Sequence, residues 1–281
     1  MIKDINDYYF TDEDYDLFIE EKQTQNGNVI REDRKIAQEK LLDLNSKLLP
    51  KLQIEGHMDL HNHKNPDNIT SLIFPCVYNK GMVNWIGVRY GKHKDFIALL
   101  NEMLPKYPTY NKYGERMPVK DTKRGFQKYA CMQVNIGYTG VDVGMYHAVP
   151  HDAIDRWYLR ENIREPELRN KIITELKDLK GYGYRWEIWN INEENLAVFD
   201  FDSHDVEEFP DWYYKFDLDG SHSSMLVHFP RYSEKLKKDV IVDTCYNIIN
   251  QLYPFYKLCS WKPNVNAKGV KKEWINRIRN Q

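Results

Sequence analysis

The sequence predicts an α+β fold, with a central antiparallel or mixed sheet and helices packed on one face of it. Two alternating stretches, 126–136 and 141–146, have the pattern of a β-hairpin. Helical spacing of leucine and isoleucine recurs before and after this hairpin, and further short strands follow the later helices. Because strands and helices come in separate runs, the order favours α+β over a doubly wound fold.

The central hairpin is the clearest periodic signal in the chain. Its apolar residues occupy alternate positions on both sides of Gly137, so each strand turns one face to a core. Val134 and Val143 are therefore predicted to be core residues on the same face. The opposite face then presents a strip of mostly neutral hydrogen-bonding and aromatic groups: Gln127, Tyr129, Gln133, Asn135, Asp142 and Tyr146.

Helical spacing, turn residues and β-rich runs predict the other elements in chain order. Before the hairpin they are a helix start at Thr11, a helix over 32–53 with a stripe from Ile36 to Leu52 that Pro50 interrupts, strands over 69–78 and 82–90 joined by 79–81, and a helix over 94–104. After it they are a helix from Pro150, a helix over 165–180 ended by Gly181, strands over 184–189, 196–201 and 224–229, and a helix over 240–258 that Pro254 kinks or ends.

Composition indicates one domain over 1–281, with an acidic segment at 1–30 and a basic tail at 262–281. The 281 residues carry a net charge of −2, so the protein as a whole does not attract nucleic acid or anionic membranes. No apolar run approaches the roughly 20 residues of a membrane helix. Four widely spaced cysteines and an acidic N-terminal segment without a signal pattern predict a cytoplasmic protein with reduced thiols.

One histidine cluster resembles a metal-binding motif. The spacing of His57, His61 and His63 resembles the first metal motif of amidohydrolase and PHP-type phosphoesterase barrels, with His147 or His151 as further ligands. The remaining chain lacks the repeated βα pattern of such barrels. A metal-dependent hydrolase stays open as an alternative, and no cofactor is predicted.

Other catalytic patterns are missing from the sequence. There is no G-x-S-x-G elbow, and the glycine pairs at Gly137 and Gly181 are not a phosphate-binding loop. The cysteines fall in predicted strands or on an apolar helix face, where a thiol is usually packing. These observations favour a binding protein over an enzyme.

Basic and aromatic residues cluster around the polar strip. Basic groups can position phosphates while aromatic rings stack on bases, and glutamine or asparagine can hydrogen-bond a base edge. The alternative is an ordinary solvated face of an antiparallel sheet. The predicted ligand-binding residues are Arg124, Lys128, Tyr129, Gln133, Asn135, Asp142, Tyr146, Arg156 and Trp157.

Three stretches resemble known families. The run 123–137 and the strand after it resemble the core of the uncharacterised bacterial family typified by YktB. The run 142–147, with Pro150 and an arginine-bearing helix, is similar to another uncharacterised bacterial family. The order of Trp85-Ile86-Gly87-Val88, the hairpin and the closing 247–256 helix is similar to the DNA-binding domain of McrB-type restriction proteins. These resemblances imply the same α+β fold and supply no catalytic residue.

The expected function is recognition of DNA, RNA or a nucleotide-like ligand on the polar sheet face of a cytoplasmic protein. Two alternatives remain open from the sequence. One is the metal-dependent hydrolase that uses the histidine cluster. The other is a scaffold whose acidic, aromatic N-terminal segment and basic C-terminal tail bind other proteins.

Overall fold

A computed structural model describes residues 7–23, 27–57, 59–62, 70–71, 84–93, 129–147, 154–189, 195–216 and 222–261. Within these residues eight strands form one sheet, and every strand pair is antiparallel. The strands are β1 His61–Asn62, β2 Thr70–Ser71, β3 Trp85–Gly91, β4 Cys131–Gly137, β5 Gly140–His147, β6 Arg185–Trp189, β7 Asn195–Asp200 and β8 His222–Pro230. The predicted α+β fold is confirmed.

The sheet has the order β1-β3-β4-β5-β8-β6-β7, and β2 pairs with the same edge of β3 as β1. Consecutive strands form the β4–β5 and β6–β7 hairpins, whereas β8 enters between β5 and β6. Strand β8 therefore joins the β4–β5 hairpin to the β6–β7 hairpin, which are far apart in the sequence.

Seven α-helices accompany the sheet in the described part of the chain. They are α1 Asp12–Tyr15, α2 Glu20–Gln23, α3 Gly27–Ile54, α4 Ile154–Arg164, α5 Pro166–Lys177, α6 Phe209–Phe216 and α7 Ile241–Cys259. Short 3-10 turns cover Asp16–Phe18, Val206–Glu208 and Glu234–Leu236. None of the described helices is both long enough and apolar enough to cross a membrane.

The predicted register of the central hairpin is confirmed. Val134 pairs with Val143, and both side chains are fully buried. Their face of the sheet packs against α3 and α7, whose leucine and isoleucine side chains join the same core. Tyr138 and Thr139 form the turn between Gly137 and Gly140.

Two helices continue past a proline, as their predicted bounds require, so Pro254 does not end its helix. Pro50 lies inside α3 and Pro254 lies inside α7, although a proline removes one backbone hydrogen bond from a helix. Buried apolar residues continue on both sides of each proline, as Leu48 and Leu52 do in α3. Each helix therefore continues because the apolar side chains on both sides of its proline pack into the core. Ile36, predicted to belong to the stripe, is exposed instead.

Several predicted elements lie outside the described residues. These are the turn at 79–81, the helix over 94–104, the start of the helix at Pro150, the first part of the central strand at 126–128 and the tail at 262–281. Helix α6 and the turns around it were not predicted, although Phe209, Trp212, Tyr213 and Phe216 follow helical spacing. The segment has only eight residues, which is shorter than the roughly 11 or more over which such spacing is usually recognised.

A buried ion pair joins four elements at one end of the sheet. Nζ of Lys92 donates to Oδ2 of Asp155 at 2.6 Å and to Oγ of Ser260 at 2.6 Å. The carboxylate of Asp155 also accepts the backbone N–H groups of Ala130 at 2.7 Å and Trp261 at 2.8 Å. The pair thereby connects the ends of β3, β4 and α7 to the first turn of α4.

We expect Asp155→Ala to lower the free energy of unfolding by about 3–5 kcal/mol, because it leaves a buried ammonium and two N–H groups without their acceptor. The control is Asp243→Ala, which removes an exposed ion pair with Lys51 and should cost at most about 1 kcal/mol. Urea unfolding measures both variants. Similar losses of unfolding free energy in the two variants would show that the buried ion pair of Lys92 and Asp155 is no more important for stability than an exposed one.

Candidate ligand-binding site

Antiparallel pairing places a set of mainly polar residues in three rows on the second face of the sheet. The first row is Gly87, Asn135, Asp142 and His228. The second row is Arg89, Gln133, Gly144, Leu226 and Arg185. The third row is Cys131, Tyr146, Ser224 and Glu187. We call this surface the polar face.

Four of the predicted ligand-binding residues lie together on the polar face, but this face is not an ordinary solvated surface. The side chains of Gln133, Asn135 and Tyr146 are only 2%, 6% and 8% exposed, and Asp142 is the partly exposed member. The alternative of a fully wet sheet face is therefore wrong at its centre. Because these groups are buried, their hydrogen bonds affect the stability of the fold: a buried polar atom without a hydrogen-bond partner lowers the free energy of unfolding.

Two amide oxygens at the centre of the polar face lack hydrogen-bond partners. Oε1 of Gln133 and Oδ1 of Asn135 are both buried, and neither has a partner among the described residues. Each unmade bond costs about 1–3 kcal/mol, and most buried polar atoms in proteins avoid that cost. The pair of acceptors is thus costly for the fold, and its hydrogen-bonding capacity is unused among the described residues.

Gly87 makes room for the amide of Asn135. A Cβ atom at position 87 would lie 2.1 Å from Oδ1 of Asn135 and 2.6 Å from the backbone oxygen of Val134. Any larger residue at position 87 would therefore displace the amide or separate β3 from β4. The glycine is required here by close approach rather than by an unusual backbone angle.

A buried arginine stands beside the two amides. The guanidinium of Arg89 lies 5.1 Å from the ring centre of Trp85 and 4.8 Å from that of Tyr146, in cation–π geometry. Its Nη1 is 3.6 Å from Sγ of Cys131. Burial raises the pKa of the Cys131 thiol although Arg89 opposes the shift, so this cysteine is a poor nucleophile.

Charged side chains form the margin of the polar face. Nδ1 of His228 lies 2.8 Å from Oδ1 of Asp142, and Nη2 of Arg185 lies 3.5 Å from Oε1 of Glu187. The hydrogen bond to Asp142 raises the pKa of His228, while burial raises the pKa of Glu187. Each of His228 and Glu187 also shifts the pKa of the other, so their charges interact across the face.

Sequence reasoning missed these neighbours, although a signal for them exists. Trp85, Gly87 and Arg89 alternate with the buried apolar residues of β3, in the same way that Gln133 and Asn135 alternate within β4. The strand order that brings His228 next to Asp142 is non-local, so no short pattern indicates it.

Two other predicted ligand-binding residues lie elsewhere. Tyr129 is buried beside Lys92, whose Nζ is 5.5 Å from its ring centre. Arg156 is buried on α4, and its charge acts on His147, which lies on the apolar face. Its role as a ligand-binding residue stays a prediction. The sequence does not show which side of the sheet a helix packs on. Arg124, Lys128 and the side chain of Trp157 lie outside the described part of the structure.

The histidines predicted to bind metal make other contacts. Nε2 of His57 lies 2.9 Å from Oδ1 of Asn250, and its ring packs on Tyr253. His61 lies against His93, with ring centres 4.7 Å apart. His63 lies outside the described residues. Within the described residues, no group of three His, Cys, Asp or Glu side chains is placed to hold a metal ion.

No protein-family model matches this sequence, and a search of curated proteins finds no match. The resemblances to the YktB-typified family and to the McrB-type DNA-binding domain therefore remain predictions. The residues of the polar face carry the functional argument by themselves.

The Asp142–His228 pair predicts a pH-dependent part of the stability. Because the pKa of His228 is raised in the folded chain, folding favours the protonated ring. This stabilisation is complete below the ordinary histidine pKa and is lost as the pH rises through the folded-state pKa. We expect the difference in unfolding free energy between the wild type and His228→Gln to be larger at about pH 5.5 than at about pH 8.5.

Urea unfolding of both proteins at the two pH values measures this difference. Asp142→Asn is the matched control, because it keeps the ring and removes the charge that favours protonation. When Asp142 is replaced by asparagine, the change in unfolding free energy caused by His228→Gln should depend less on pH. If His228→Gln lowers the unfolding free energy of the wild type equally at both pH values, the Asp142–His228 pair makes no pH-dependent contribution to stability.

Proposed function

We propose that the protein binds nucleic acid or a nucleotide-like ligand, and that the polar face holds the base. The single observation that carries the proposal is that the buried amide oxygens of Gln133 and Asn135 have no hydrogen-bond partner in the described part of the chain. These residues are two positions apart on β4, so their backbones are about 7 Å apart and their side chains share one face. Donors on the edge of a base can satisfy these acceptors.

The chemistry around the amides favours a base over other planar ligands. An asparagine or glutamine amide places an NH2 donor group beside a carbonyl acceptor, an arrangement that matches the hydrogen-bonding edge of a base. Trp85 and Tyr146 supply aromatic rings next to these amides, and Arg89 lies against both rings. Aromatic rings and guanidinium groups both stack on bases without strong sequence preference.

Phosphate contacts are assigned to Arg124 and Lys128, which precede β4 in the sequence. The net charge of −2 means that attraction to phosphate comes from such local groups and not from the whole surface. Binding through these two cations should weaken with salt, but less steeply than binding by a strongly basic protein.

We expect Gln133→Met to abolish or weaken binding without destabilising the fold. The substitution replaces an unpartnered buried acceptor with an apolar group of similar length, so the unfolding free energy should stay the same or rise. Affinity should fall roughly tenfold or more, because a buried hydrogen bond to the base is lost. Titration of fluorescent single-stranded DNA and RNA, and of mononucleotides, at low salt measures the affinity.

Gln251→Met is the matched control. The amide oxygen of Gln251 accepts the hydroxyl of Tyr184 at 3.0 Å, so the same substitution there should cost about 1 kcal/mol and leave affinity unchanged. The expected results of the two variants are therefore opposite. If Gln133→Met destabilises the fold and the wild type binds none of the probes, the amide has a structural role only.

A further inference from the structure

Asp142 is the accessible acceptor in the row of the polar face that contains Asn135. The two residues are direct partners in the β4–β5 register, and His228 is the partner of Asp142 on its other side. Partners in an antiparallel pair have Cα atoms about 4.5–5.5 Å apart. The side chain of Asp142 is 33% exposed, whereas Asn135 is buried. A base that reaches Asn135 therefore lies next to the Asp142 carboxylate.

His228 holds the Asp142 carboxylate in one orientation. Nδ1 of His228 lies 2.8 Å from Oδ1 of Asp142. An ionised carboxylate can only accept a hydrogen bond, so the shared proton belongs to Nδ1. The two oxygens of a carboxylate offer about four acceptor positions, and this bond uses one of them. The oriented carboxylate can therefore accept further donors from a ligand.

This row of the polar face presents adjacent hydrogen-bond acceptors. Oδ1 of Asn135 has no hydrogen-bond partner among the described residues, and the carboxylate of Asp142 is an acceptor only. A ligand edge that fits the row must therefore carry N–H donors next to each other. A carboxylate accepts two parallel N–H groups particularly well, as it does from the guanidinium of an arginine.

Guanine is the base that meets this requirement. Its N1–H and its N2 amino group are neighbouring donors that point in the same direction, like two N–H groups of a guanidinium. The amino group of adenine or cytosine lies beside a ring nitrogen, and the lone pair of that nitrogen is repelled by a carboxylate. The N3–H of uracil or thymine lies between two carbonyl oxygens. The second hydrogen of the guanine amino group is left for a further acceptor such as Asn135.

We propose that the polar face selects guanine nucleotides, with the carboxylate of Asp142 accepting N1–H and N2–H of the base and His228 orienting that carboxylate. The inference rests on the proposed binding of a nucleotide-like ligand and names its base. Any other base leaves the carboxylate facing a lone pair. A good bidentate contact discriminates between bases by about 5- to 150-fold.

Titration of the full chain at low salt tests the selection of guanine. The probes are the 5′-monophosphates of guanosine, inosine, adenosine, cytidine and uridine. We expect guanosine monophosphate to bind about tenfold or more tightly than the adenosine, cytidine and uridine nucleotides. Inosine monophosphate keeps N1–H but lacks the amino group, so its Kd should lie between those of guanosine monophosphate and the other three.

Asp142→Asn should reverse the preference of the site. The new amide places a donor beside an acceptor, and xanthine has a carbonyl oxygen where guanine has its amino group. Xanthosine monophosphate should therefore bind this variant more tightly than guanosine monophosphate, in the opposite order to the wild type. Asparagine has the shape of aspartate, and urea unfolding checks that the fold is retained. Glu187→Gln is the matched control, because it removes a carboxylate from another row of the same face and should leave the order of the two ligands unchanged.

The outcomes separate the inference from the function on which it rests. If the wild type binds all five nucleotides with similar Kd, the selection of guanine is wrong and the binding function stands. If folded Asp142→Asn still prefers guanosine monophosphate, or binds neither purine nucleotide, Asp142 does not select the base and the inference is overturned. If none of the five nucleotides binds the wild type, the inference is also overturned, and the oligonucleotide titration decides the binding function by itself.

Discussion

The buried ion pair between Lys92 and Asp155 is the interaction on which the rest of this structure depends. Burying two charges is unfavourable unless every donor and acceptor finds a partner, and here one carboxylate serves the ends of β3, β4 and α7. Arg89 precedes Lys92 by three residues, and Gln133 follows Ala130 by three. The ion pair therefore lies three residues along each strand from Arg89 and Gln133, which face each other in the β3–β4 register.

The two faces of the sheet have different physical roles. The apolar face buries Val134 and Val143 against α3 and α7 and supplies the stability of the domain. The polar face also buries its central groups, but among the described residues the amide oxygens of Gln133 and Asn135 have no hydrogen-bond partner. Groups that lower stability without an internal compensation are typical of sites where function, rather than folding, selects the residue.

Local patterns in the sequence predicted the parts of the fold that depend on the period of a strand. Alternation placed Val134 and Val143 in the core and put Gln133 and Asn135 together on the other face, because side chains in a strand alternate with period two. It could not predict that β8 enters between β5 and β6, so the partnership of His228 with Asp142 was missed. Nor could it predict the side of the sheet on which α4 packs, so the interaction of Arg156 with His147 on the apolar face was not predicted.

The central claim is that the unpartnered amides of the polar face are ligand groups, and side-chain NMR tests it most directly. Glutamine and asparagine can be selectively labelled with ¹⁵N, and their side-chain amide signals followed during titration with RNA. Binding as proposed shifts the signals of Gln133 and Asn135 and leaves that of Gln251, bonded to Tyr184, unchanged. If RNA binds while the Gln133 and Asn135 signals stay in place, the ligand site lies elsewhere and the claim is wrong.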